Sequence, residues 1–244
     1  MANLHPLKFL VVPPKAKHTA TVIFLHGLGD SGAGWEPVAR FLQQKQGLSH
    51  VKWVLPHARM NSVTMNFGMQ MPSWYDIYSL GDIGERKEDE KGMLESVRSI
   101  NEIITAEVDA GVPASRIVLG GFSQGGAMTL LTGLTTEYKL GGLAVLSSYL
   151  PMREKMKSML TDHARSLPIF MAHGTADEVV AFKYGERSFH YLRDQLKFPA
   201  VEPGKVAGVG VRFEKYEDLG HSADPEELKD LGEWLKGVIT EESS

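Results

Sequence analysis

Cysteine is missing from all 244 residues of the chain. Its absence excludes a disulfide framework, a zinc–thiolate centre and a thiol nucleophile, and it removes any position for S-acylation. Long apolar runs are missing too: none approaches the ~20 residues of a membrane-spanning helix. Charge of one sign is not in excess, with 26 Lys and Arg against 30 Asp and Glu and a net charge of −4. No basic surplus points to nucleic acid, and no acidic block to a solvated tail. The densest charged run, Glu85 to Lys91, mixes both signs and reads as a solvated loop. Repeats and low-complexity linkers are also lacking, so residues 1–244 are expected to form one domain. The opening MANLHPLKFLVVPP holds too short an apolar stretch, broken by prolines, for a secretory signal. Ala2 does not suit N-myristoylation, and EESS is no prenylation signal. The expectation is a cytoplasmic protein with at most transient membrane contact.

What is present is an alternation of short apolar runs with helical segments, the pattern of a mostly parallel sheet flanked by helices. Strands are expected at Lys8–Val12, Thr21–Leu25, Val51–Leu55, Arg116–Gly120, Leu143–Ser147, Pro168–His173 and Val211–Tyr216. Their two-sided apolar character suits strands covered on both faces. Helices are expected at Trp35–Gln46, Met93–Ala110, Gln124–Leu134, Phe182–Leu196 and Glu226–Ile239. In the second, Met93, Val97, Ile100, Ile104 and Val108 make a helical stripe, which Gly111 and Pro113 terminate. Two stretches fit neither pattern: Pro56 to Gly92, rich in Met and aromatics, and Phe198–Gly210, rich in Pro, Gly and Val. A connection as long as the first is usually functional, and its apolar content argues against disorder.

The sharpest motif is Gly121-Phe122-Ser123-Gln124-Gly125. A bare G-x-S-x-G is weak, but RIVLG upstream reads as a strand and GGAMTLLTGL downstream as a helix. That is the strand–turn–helix setting of a nucleophile elbow. A serine hydroxyl needs an adjacent base, itself held by a third group, and behind such an elbow the order is Ser, acid, His. Of nine histidines only His163, His173, His190 and His221 follow Ser123. His173 lies within an apolar strand, His190 lies mid-helix, and His163 lies in the connection before a strand. His221 follows the last strand in a Gly-His-Ser turn and is the candidate base. Asp177 follows the strand Pro168–His173 through Gly174-Thr175-Ala176, at the carboxyl edge where open α/β sheets put their sites. Glu178 is its rival; Glu217 and Asp218 precede His221 too closely to orient it. An oxyanion hole needs two backbone N–H groups. Gln124 supplies one, and Leu28, between glycines in His26-Gly27-Leu28-Gly29-Asp30, supplies the other. His26 precedes the serine and reads as a structural histidine.

The motifs FLHGLGDSGAGW, MPSWYDI, IVLGGFSQGG, LSSYLP, HGTADEVV and LGHS, in order from Phe24 to Ser222, resemble the acyl-protein thioesterase/lysophospholipase family of small carboxylesterases. The resemblance covers nearly the whole chain. It implies an eight-stranded α/β-hydrolase fold and removal of long-chain acyl groups from protein cysteines, with carboxylesterase and lysophospholipase side activities. It places the nucleophile at Ser123, the acid at Asp177, the base at His221 and the oxyanion donors at Leu28 and Gln124. The chain departs from the family by lacking an N-terminal cysteine and by carrying Tyr149 where Trp is common. It also has Asp177-Glu178-Val179-Val180-Ala181 after the acid and a longer Phe198–Gly210 connection. No metal or other cofactor is expected. Met71, Trp74, Leu80, Tyr149 and Val179 are the candidate acyl-binding side chains. With only Ser147 to Pro168 before the acid's strand, a large cap has no room, which suits an S-acylated protein or a lipid as substrate. A general carboxylesterase or lysophospholipase is the nearest alternative, and a ligand receptor on a hydrolase fold a remote one.

Overall fold

The computed structural model describes residues 5–45, 47–79, 87–205 and 208–241. Along the chain come β1 (Phe9–Val12), β2 (Ala20–Leu25), α1 (Gly32–Lys45), β3 (Val51–Pro56), β4 (Met60–Val63), β5 (Met69–Pro72), α2 (Glu90–Asp109) and β6 (Ile117–Phe122). They are followed by α3 (Gln124–Thr135), β7 (Gly142–Leu146), α4 (Arg153–Met159), β8 (Pro168–Gly174), α5 (Phe182–His190), β9 (Ala200–Val201), β10 (Gly210–Tyr216) and α6 (Pro225–Val238). Eight strands form one sheet in the order β1-β3-β2-β6-β7-β8-β10-β9. β1 runs antiparallel to β3, and the other neighbours pair in parallel.

The period of two in a strand divides the apolar residues between two faces. Ile23, Leu25, Leu119, Val145 and Met171 point to one side, where α2 and α3 cover them. Val22, Phe24, Val118, Leu146 and Phe170 point to the other, against α1 and α6. The expected stripe on α2 is buried at Met93, Val97, Ile100 and Ile104, each such side chain contributing about 1.5–3 kcal/mol relative to exposure. After β2 the chain turns outward to β3 and then returns to the opposite side of β2 as β6. That reversal opens a crevice at the carboxyl ends of β2 and β6.

Where the sequence suggested irregular chain, the structure adds elements. Residues 60–72 form a two-stranded hairpin, β4 with β5, outside the main sheet. Its turn uses positive φ at Phe67 and Gly68, 56° and 74°. Methionine and asparagine carry no strong strand preference, so nothing in the pattern announced it. β9 adds two residues to the sheet beside β10, too few for any period to register. The expected helix Phe182–Leu196 instead ends as an α-helix at His190 and continues as a π-helical turn, Tyr191–Gln195. Between β7 and β8 only the seven residues of α4 and a 3₁₀ turn intervene, so no large cap is present.

At the start of α6 the sequence Asp224-Pro-Glu-Glu227 has the form of a capping box. Asp224 Oδ1 accepts the Glu227 N–H at 2.8 Å, but the Glu227 side chain turns inward. It is fully buried, and among the described residues neither of its carboxylate oxygens has a hydrogen-bond partner. Burial, with the charges of Asp224 and Asp230 adding to it, pushes its carboxyl up to about 8. Because the folded chain holds a proton that the unfolded chain releases near pH ~4.3, this group destabilises the fold progressively as pH rises from there through about 8. Thermal melts from pH 5 to 9 should therefore show the parent losing stability faster than Glu227→Gln, by several kcal/mol at the alkaline end.

Candidate active site

Ser123 stands between β6 and α3 with φ 54° and ψ −120°. A non-glycine residue in this conformation carries strain of order 1–3 kcal/mol and must be held by its surroundings. The holding contacts are visible. The Ser123 N–H donates to Leu146 O at 2.9 Å, and the Ser148 hydroxyl donates to Ser123 O at 2.6 Å. The flanking glycines are required by close approach. A Cβ at Gly121 would lie 2.5 Å from the Gly125 carbonyl, and one at Gly125 would collide with Leu25 O.

Ser123 Oγ lies 2.9 Å from His221 Nε2, and His221 Nδ1 lies 2.7 Å from Asp177 Oδ2. A carboxylate can only accept, so Nδ1 carries the proton and Nε2 is left to accept from the serine hydroxyl. Phe122 packs against the imidazole, ring centroids 4.7 Å apart. Asp177 Oδ1 accepts the N–H groups of Val179 and Val180 at 2.9 and 2.8 Å. Burial alone would raise the Asp177 carboxyl. Hydrogen bonds from His173 and His221, the His221 charge and the Val180 N–H outweigh it and hold the carboxyl well below the usual range. Among the rival acids, Glu178, Glu217 and Asp218 are all exposed, and Glu217 instead accepts the Thr175 hydroxyl at 3.1 Å.

His26 has both ring nitrogens committed to backbone: Nδ1–H donates to Gly27 O at 2.7 Å and Nε2 accepts the Ala58 N–H at 3.0 Å. That arrangement requires the neutral ring, and burial lowers its pKa in the same direction. The following loop brings Leu28 to the wall of a cavity of about 260 Å³ that also contains Ser123, Gln124 and His221. Gln124 opens α3, where a backbone N–H has no intrahelical acceptor and the helix dipole favours negative charge.

Apart from Asp30, the rest of the cavity lining is largely apolar. Tyr149 and Val179, two of the expected acyl-binding side chains, line it together with Met65, Tyr75 and Ile77. Trp74 does not line it. Its indole is buried in the core, donating to His26 O at 2.8 Å. Tyr75, equally buried, and Ile77 reach the cavity instead; the chain bends at Trp74 and Tyr75, so no strand period was there to announce them. Met71 also stays outside the cavity. It sits on the hairpin, where its sulfur accepts from Asn66 Nδ2 at 3.3 Å. Leu80 lies outside the described residues.

The phospholipase/carboxylesterase family model matches residues 7–239. The chain belongs to that family. It is a hydrolase of the α/β-hydrolase type. Acyl-protein thioesterase 1 of Cryptococcus neoformans is 48% identical over 235 residues, covering 96% of this chain and 98% of that protein. Acyl-protein thioesterase 1 of Yarrowia lipolytica is 46% identical, covering 97% and 99%. Among solved structures, Arabidopsis thaliana SOBER1 matches with a TM-score of 0.81 at 34% identity, covering 91% of this chain and all of that one. Zea mays acyl-protein thioesterase 2 matches with a TM-score of 0.78 at 28% identity, covering 95% and 99%.

In this family member one side chain does more than the sequence suggested. Gln124 is expected to contribute only its backbone, yet its buried amide spans the cavity wall. Oε1 accepts the Trp74 N–H at 2.9 Å, and Nε2 donates to Tyr75 O at 2.8 Å and Ser73 Oγ at 3.1 Å. The residue after Ser123 thereby fixes the segment that presents Tyr75. Gln124→Ala would leave buried backbone groups unpaired at about 1–3 kcal/mol each. Its melting temperature should fall by several degrees, at about 2–4 °C per kcal/mol for a chain of this size. Differential scanning calorimetry checks it.

Proposed function

We propose that the chain removes acyl groups from S-acylated proteins, with Ser123 as nucleophile, His221 as general base and acid, and Asp177 as the group that orients His221. The observation that carries the reading is the continuous hydrogen-bonded line Ser123–His221–Asp177, at 2.9 and 2.7 Å, opening onto an apolar cavity of about 260 Å³. The substrate class comes from the relatives named acyl-protein thioesterase 1. Residues 1–244 act as one domain in this reading. A cytoplasmic site of action fits the absence, among the described residues, of any helix long and apolar enough to cross a membrane.

The first half of the reaction transfers the Ser123 hydroxyl proton to His221 Nε2 while Oγ bonds to the acyl carbon. The developing oxyanion is received by the backbone N–H groups of Leu28 and Gln124. The carbon–sulfur bond then breaks and the cysteine sulfur leaves with the proton from His221. In the second half a water gives its proton to His221 and attacks the acyl-enzyme. The fatty acid departs and Ser123 recovers its proton. Asp177 stays ionised throughout, holding the Nδ1–H tautomer and stabilising the imidazolium. Nothing in these steps requires a cofactor.

Ser123→Ala should abolish both turnover and labelling by a fluorophosphonate probe, read by gel fluorescence. Asp177→Asn should fold and lose on the order of 10⁴ in kcat, as when the imidazole is held in the wrong tautomer, while Glu178→Gln stays within a few-fold of the parent. The reverse result would move the acid to Glu178.

The family description favours a second reading, a carboxylesterase or lysophospholipase acting on oxygen esters. Acyl-chain preference separates them. Each methylene entering the cavity contributes about 0.8 kcal/mol, so two should raise kcat/KM roughly tenfold until the cavity is full. A series of S-acyl peptides and p-nitrophenyl esters of graded length reads that slope. Preference for the shortest esters would favour the general carboxylesterase, and long-chain oxygen esters taken with no gain on thioesters the lysophospholipase.

A further inference from the structure

Asp177 has one partner more than the orientation of His221 requires. Its side chain is wholly buried. Two backbone N–H groups serve Oδ1, and His221 Nδ1–H serves Oδ2. Oδ2 also lies 3.3 Å from Nε2 of a second imidazole, His173, next to last in β8. That same N–H donates to Val180 O at 2.7 Å, so a single proton is shared between a carbonyl and the carboxylate. The His173 ring is confined on its remaining sides. Phe182 meets it edge-on with centroids 5.8 Å apart, and Gly185 on α5 sits so close to Nδ1 that a Cβ there would collide with it. A ring 1% exposed and outside the described lining of the acyl cavity exchanges no proton with substrate.

We propose that His173 is a positioning residue for Asp177, holding Oδ2 in line with His221 Nδ1 and sharing the carboxylate's charge. The inference rests on the reading of Asp177 as the acid. The physical reason is that carboxylate rotation about its last torsion is soft, and a buried carboxylate stays ionised only while donors face it. With two donors on Oδ1 and only His221 on Oδ2, the second oxygen could swing. The His173 N–H closes that freedom and, through Val180 O, also fastens the turn whose Val179 and Val180 wall the acyl cavity. The titratable groups facing the carboxylate are His173 and His221. The sequence, read alone, placed His173 in the core and gave it no part in the site.

The test compares His173→Leu, which removes the donor, with His173→Gln, whose amide N–H can replace it, in the full chain with p-nitrophenyl octanoate as substrate. His173→Leu should lower kcat by about 10- to 100-fold, the range seen for the outer hydrogen-bond partners that orient metal-ligating side chains, with little change in KM. It should also move the acid limb of the kcat/KM profile to higher pH. An Asp177 charge no longer shared with His173 favours the His221 imidazolium more strongly. The downfield proton resonance of the His221–Asp177 hydrogen bond should shift in the same variant, and His173→Gln should restore most of kcat. If His173→Leu does not fold, Gly185→Ala displaces the ring from the α5 side and should lower kcat and shift the acid limb in the same direction. A folded His173→Leu or Gly185→Ala with the parent's kcat and pH profile overturns the proposal. So does an equal loss in the Leu and Gln variants with profile and resonance unmoved, which is the result of packing alone. Survival of probe labelling in Ser123→Ala would instead overturn the assignment of the whole site, so the two failures are distinguishable.

Discussion

Ser123 can hold a positive φ only because the elements on either side of it are locked. Its N–H reaches across to β7 and its carbonyl to Ser148, while the glycines at 121 and 125 let α3 descend onto β6 and β2 without collision. α3 is itself buried from Gln124 to Leu134, so the strain of the turn is set against an extensive apolar interface. The exposed hydroxyl, the α3 N-terminus beside it and the amide of Gln124 all take their positions from that one constrained residue. Were the turn to relax, the serine would leave the line to His221, and the Gln124 side chain would release the segment carrying Trp74 and Tyr75.

The second organising feature is electrostatic. A fully buried carboxylate is costly unless its oxygens are satisfied, and the turn from Asp177 to Val180 supplies two backbone donors to one oxygen. The remaining oxygen faces imidazole, which leaves its charge directed at the ring whose protonation changes during the proposed reaction. The same turn carries Val179 and Val180 into the cavity wall. The Asp177 carboxylate and the apolar wall are thus two aspects of one short segment, and a shift in either is transmitted to the other.

Buried ionisable groups elsewhere meet the same cost differently. Among the described residues Glu227 has no hydrogen-bond partner on either oxygen, and burial pushes its carboxyl up to about 8, whereas the buried Arg212 donates to the half-buried Glu214 at 2.5 Å. Arg212 also donates to Lys205 O and Glu214 accepts the Gly204 N–H, which ties the described part of residues 198–210 to β10. The length of that connection is legible in the sequence; its attachment is not, because it depends on an ion pair formed by residues of one strand that read locally as an ordinary polar alternation.

By itself the sequence determined the α/β layering, since two-sided apolar strands and one-sided helices have few ways to bury their surfaces. It also singled out Ser123, Asp177 and His221, because a nucleophile elbow needs glycines at fixed offsets and the strand ends that follow it come in a set order. Tertiary structure alone decided which side chains meet. Trp74 and Tyr75 are adjacent in sequence and both buried, yet only Tyr75 reaches the cavity beside Ser123, a choice made by the contacts of this segment with Gln124 and His26. His173 looks like any buried strand residue until β8, the 177–180 turn and α5 close around it. Local patterns record periodicity and turn chemistry; they carry no information about which buried polar groups will be left facing one another when the layers pack.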